Sequence, residues 1–114
     1  MARAAKRFYG PALITTGPTT VYTVPGSTKV VLRHIHLQNP SGSAVLFSLS
    51  IGADAAGTRL WDNYSIPAAA AGVTDSVRDI FLYLVMDAAE VIQVKAGTTN
   101  ILTITINGDE ITLG

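Results

Sequence analysis

Cysteine is absent from the 114 residues. That excludes a disulfide scaffold, a thiolate metal site and a cysteine nucleophile. Charge is scarce as well: Asp, Glu, Lys and Arg make up 14% of the chain, against a usual ~25%. Apolar residues make up 48%, and intrinsic disorder needs the opposite balance. No apolar run reaches the ~20 residues that a membrane-spanning helix requires. The segment after Arg7 is Phe8-Tyr9-Gly10-Pro11 rather than an apolar stretch. No secretory signal is therefore expected, and synthesis in a cytoplasm is. The chain also lacks Gly-x-Gly-x-x-Gly, a phosphate loop and a Gly-x-Ser-x-Gly elbow. Those absences remove the usual dinucleotide, nucleotide and serine-hydrolase signatures. A domain of this length buries roughly two thirds of its unfolded surface, enough for one core.

The charge that is present is unevenly spread. Residues 1–53 hold Arg3, Lys6, Arg7, Lys29 and Arg33 and no acid, a net +5. Residues 54–114 hold three cations against eight acids, a net −5. The pattern fits a basic N-terminal arm docked on an acidic surface, its own or a neighbour's. Only three cations cluster, and no basic stripe with interleaved aromatics follows, so nucleic acid is not the expected partner.

Residues 1–10 show no strand alternation and are expected to form an extended arm ahead of a single domain over 11–114. From there the chain is a series of short β-type runs divided by turn residues. Val21 to Val24 ends at Pro25-Gly26, and Lys29 to Leu37 ends at Asn39-Pro40-Ser41-Gly42. Val45, Phe47, Leu49 and Ile51 alternate cleanly, as do Leu102, Ile104 and Ile106. Further runs cover Arg59 to Ile66, Ile80 to Met86 and Val91 to Ala96, with a small-residue loop from Pro67 to Asp75. Asn107-Gly108 is the strongest hairpin signal, which predicts a separate last strand over Asp109 to Leu113. The spacing predicts an all-β, antiparallel sandwich of about eight strands, jelly-roll-like, with no helix.

Two runs are apolar on both faces: Val30 to Leu37 and Ile80 to Met86. A two-layer sandwich has one interior, so the second face needs cover. A bulge that swaps faces midway is one solution. A subunit interface is the other and the preferred one, with Leu32, His34, His36, Phe81 and Tyr83 as its expected residues.

The search for chemistry returns little. His34 and His36 point the same way on a strand, a ligand spacing that cupins use. No acid follows at the cupin position and there is no third histidine. Two ligands hold zinc poorly, so no metal is expected there. Asp54 and Asp62 lack the dense oxygen run of a calcium loop. The carboxylate pairs Asp75/Asp79 and Asp109/Glu110 read as solvated turn charges rather than a glycosidase pair. Trp61 and Tyr64 are the first suspects for stacking on a sugar or receptor, although one Trp in a sandwich is more often core. No catalytic residue and no cofactor is expected.

Several stretches carry a family likeness: Val21-Tyr22-Thr23-Val24-Pro25, Lys29 to Pro40, Leu49 to Leu60, and the terminal segment Leu102 to Leu113. With these the chain resembles small virion proteins of tailed bacteriophages, often called minor tail or decoration proteins in phages of actinobacteria. The resemblance implies a non-enzymatic β-sandwich module. It also implies self-association, commonly as trimers, on a larger assembly of tail or major capsid protein, hence a virion location. It brings no active-site residues. A carbohydrate- or receptor-binding module and a cupin-like metal protein are the alternatives.

Within that reading Arg3, Lys6, Arg7, Phe8 and Tyr9 are expected to bind a partner. The aromatics would supply the affinity and the cations the orientation. Removing residues 1–9 is expected to leave the sandwich folded. No membrane partner is expected.

Overall fold

The computed structural model describes residues 2–69 and 77–113. Eight strands follow in order: β1 Ala2–Leu13, β2 Thr19–Thr23, β3 Thr28–Gln38, β4 Val45–Ile51, β5 Arg59–Ile66, β6 Val77–Met86, β7 Val91–Ala96 and β8 Thr103–Thr112. There is no helix among the described residues. One sheet has the order β1-β8-β3-β6 and the other β2-β7-β4-β5, every pair antiparallel. β1 lies beside β8, β2 beside β7, β3 beside β6 and β4 beside β5. The first four strands are thus folded back on the last four in reverse order, which is a jelly roll. The sandwich expected from the strand spacing is the one observed. Asp75 and the later part of the 67–75 loop lie outside the described residues.

The core forms where the alternating faces of the two sheets meet. Val45, Phe47 and Leu49 of β4, with Ile92 and Val94 of the neighbouring β7, meet Ile104 and Ile106 of β8 and Val30, Leu32, Ile35 and Leu37 of β3 from the other sheet in one cluster. Buried polar groups are answered. Asn39, fully buried, donates through Nδ2 to the Ser43, Ile66 and Pro67 carbonyls and accepts from the Ser41 amide. It ties the turn after β3 to the end of β5. No buried side-chain N or O among the described residues lacks a partner.

The dual-faced β3 is resolved by a bulge. Leu32 pairs with Gly108 and His34 pairs with Asn107, so Arg33 has no residue opposite it on β8. Core positions are even-numbered before the bulge (Val30, Leu32) and odd-numbered after it (Ile35, Leu37). One face of β3 is therefore buried throughout, and the extra apolar positions are accounted for within the chain. Leu32 is fully buried in this core, which corrects its assignment to a subunit interface.

Two further expectations are corrected. Residues 2–13 are not an arm ahead of the domain. They form β1, an edge strand hydrogen-bonded along β8. Residues 3–7 are exposed, so the strand is made by backbone bonding and leaves no alternation to read. Asn107-Gly108 is no hairpin either: β8 runs unbroken through it, and neither residue has positive φ, which a two-residue hairpin turn of that type requires. Gly108 serves close packing instead. A Cβ there would strike the Val31 carbonyl oxygen and the Phe8 ring.

Candidate functional site: the outer face of β3 and β6

The first half of the chain meets the second because β8 lies between β1 and β3. Arg3 donates to Asp109 at 2.6 Å, Lys6 to Glu110 at 2.9 Å and Arg33 to Asp109 at 3.3 Å. Lys29 reaches Asp87 at 2.8 Å. The charge asymmetry is thus taken up inside one molecule. Asp109 and Glu110 are held below the usual carboxylate range by these partners, chiefly Arg3 and Lys6. Tyr22 donates to Glu110 at 3.1 Å. Burial, then that hydrogen bond, push its hydroxyl up to about 12.

Phe8, expected to enter a partner, is buried in the chain's own core, its ring 4.6 Å from Tyr22. Tyr9 is half-buried against the same core. The aromatics anchor β1 to its own sandwich, which corrects their assignment to a partner. Arg7 is exposed and makes no ion pair among the described residues.

Asp54 and Asp62 do come together, around Arg59. The guanidinium grips Asp54 through Nε at 2.8 Å and Nη2 at 3.0 Å and reaches Asp62 at 2.9 Å. Lys95 adds a contact to Asp54 at 3.1 Å. Arg59, at the start of β5, stands where a bound cation would, and Lys95 fastens the loop between β4 and β5 to β7. Trp61 and Tyr64 are half-buried against the core and are not among the exposed large side chains.

The outer face of β6 is different. Ile80, Leu82 and Leu84 turn inward against the core, which leaves Phe81, Tyr83 and Val85 outward. Phe81 is 78% exposed, Tyr83 68% and Val85 48%. Among the described residues, the His34 ring and the Arg33 guanidinium of the neighbouring β3 lie against the two aromatic rings, and both rings stay largely exposed. Leu13, Leu46 and Leu60 are exposed too, but each lies on a separate strand. β6 is also the last strand of its sheet, so its outer backbone groups have no ladder partner in that sheet.

The neighbouring outward positions of β3 are polar. His34 pairs with Phe81 across the strands and stacks on its ring at 4.9 Å. The Arg33 guanidinium lies 5.8 Å from the Tyr83 ring centre. His36 pairs with Asp79. Asp79 Oδ1 accepts from His34 Nε2 and from His36 Nδ1, each at 2.7 Å. These two bonds, that from His36 first, hold the Asp79 carboxyl below its usual range. Asn107 Nδ2 lies 3.1 Å from His34 Nδ1.

Four of the expected interface residues, His34, His36, Phe81 and Tyr83, are therefore gathered on one outer face. Sequence reasoning missed Asp79, Val85 and Asn107. Asp79 and Val85 share the odd-numbered parity of Phe81 and Tyr83, the one available signal. The cross-strand register that brings Asp79 to the histidines has no local signature.

No family model and no curated protein matches this chain. A solved structure of infectious bursal disease virus Gt strain overlaps 96% of the chain with a TM-score of 0.28 and 11% identity. The chain spans 28% of the length of that protein, and a likeness this loose transfers nothing from it.

Proposed function

We propose that the chain is a non-enzymatic structural subunit of a tailed-bacteriophage virion. It is an accessory protein of the tail, or next a decoration of the capsid, and it self-associates through the outer face of β6. The observation that carries the reading is the apolar ladder Phe81-Tyr83-Val85 on an edge strand. Soluble monomers guard such edges with charge, proline or cover. Between Asp79 and Asp87 this strand offers none of these. Exposing contiguous aromatics brings no benefit to a solitary molecule, whereas a second copy laid on them removes that surface from water.

The virion context is supported by the resemblance of Val21–Pro25, Lys29–Pro40, Leu49–Leu60 and Leu102–Leu113 to phage tail and decoration proteins. A rigid jelly roll suits such a role without specifying it. On this reading the partners are further copies of the chain, as a trimer, and the tail or major capsid protein. Neither nucleic acid nor membrane is a partner: Arg3, Lys6, Lys29 and Arg33 are engaged by acids of their own chain.

Light scattering on the purified chain at high micromolar concentration tests the association. A trimer is expected, and Phe81→Asp is expected to yield a folded monomer whose melting midpoint, unlike that of the wild type, does not rise with protein concentration. A wild-type protein that stays monomeric overturns the association. Absence of the protein from purified particles overturns the virion placement.

A further inference from the structure

The expectation that His34 and His36 hold no metal rested on a missing third ligand. The fold supplies it. We propose that His34, His36 and Asp79 form a zinc-binding site on the outer face of the sheet. The inference stands on side-chain geometry and does not depend on how the chain associates or where it resides.

The three residues belong to two hydrogen-bonded strands, which fixes their backbones. His34 and His36 are two apart after the Arg33 bulge and point to one face. Asp79 lies directly opposite His36, and residues opposite one another share a face. One ligand atom from each residue lies within 4.8 Å of the others. Tetrahedral zinc with bonds of about 2.0–2.1 Å needs donors a little over 3 Å apart, a spacing reached here by small rotamer changes.

The donor set suits the ion. Two neutral imidazoles and one carboxylate are a common zinc set, and three protein ligands leave a fourth position for water. Both histidines direct a ring nitrogen at one carboxylate oxygen, which is where a cation could replace two N–H hydrogen bonds. A ligating imidazole usually donates its other N–H to an outer partner that fixes its tautomer. Asn107 stands at His34 Nδ1. With its amide turned to present oxygen it would accept that proton, and Phe81 stacked on the ring holds the plane of His34. Phosphate and nucleic acid are poor matches for a site whose centre is a carboxylate.

Isothermal titration of the full-length, chelator-treated protein with zinc chloride at neutral pH tests the site. One zinc per chain is expected. His36→Ala and Asp79→Asn should each weaken binding by more than tenfold, and Asn107→Ala by about tenfold. On the wild type, NMR should show the ring nitrogens of both histidines shifting on zinc addition, which needs no variant to fold. Absent saturable binding, unmoved histidine signals, or an Asp79→Asn variant that binds as well as wild type would each overturn the site. Because these readouts concern the metal alone, a monomeric protein that binds zinc would sink the association reading and leave this one standing.

Discussion

Phe8 of β1 fills the space that a side chain at Gly108 of β8 would need. The two residues are a matched pair, the largest kind of core side chain against none at all. The Val31 carbonyl of β3 closes the same space from the other side. Three neighbouring strands are thereby allowed to come together at one point beside the bulge at Arg33.

Gly108→Ala should therefore destabilise the fold although it adds a single methyl group and improves strand propensity. Backbone of β3 and a buried ring must both move, and overpacking of this kind costs roughly 1–3 kcal/mol. Chemical denaturation would show a lower midpoint with an unchanged slope. If stability is unaltered, the close approach of the three strands is wrong.

What the sequence made legible follows from where side chains decide structure. β4 and β8 were readable because each buries one face, so Val45-Phe47-Leu49 and Leu102-Ile104-Ile106 alternate. β1 was hidden because residues 3–7 lie in water on an edge, and its ladder is a backbone matter. Asn107-Gly108 misled because glycine serves two ends, a turn or a close approach, and only the neighbouring strands decide which. On the candidate site, parity within a strand placed His34 with His36 and Phe81 with Tyr83. It could not place Asp79 beside the histidines, since that rests on register across a bulge.

Acid should destabilise the fold over a defined range. Asp54, gripped by Arg59 and then Lys95, is drawn down to about 2 from an ordinary 3.8. A carboxyl with a lower pKa folded than unfolded contributes stability above its unfolded value and loses it as pH falls toward the folded one. Asp79, Asp109 and Glu110 are shifted the same way. The melting midpoint should be flat near neutrality, then fall from about pH 4 toward pH 2. Asp54→Asn should lower the midpoint at neutral pH and make the acid fall less steep. An acid limb as steep as that of wild type would show that the Arg59 clamp adds nothing to stability.

The N-terminal strand gives the sharpest contrast between charge and packing. Arg3 and Lys6 pair with Asp109 and Glu110 at the surface, where ion pairs are screened and contribute little. Phe8 is buried against Tyr22 and Gly108, and truncating a buried Phe costs roughly 3–5 kcal/mol. Phe8→Ala should thus lower the unfolding midpoint sharply, while Arg3→Ala hardly moves it and added salt has little effect. Removing residues 1–9 goes further. It takes the β1 side of β8 out of its ladder, uncovers the core at the Phe8 position and leaves a long unpaired strand edge. Such an edge invites pairing with other chains, so the shortened protein should aggregate or unfold rather than remain a soluble sandwich. A truncated chain that stays folded, with the melting behaviour of the full one, would mean that the β1–β8 ladder and the Phe8 contact add nothing to the stability of the sandwich.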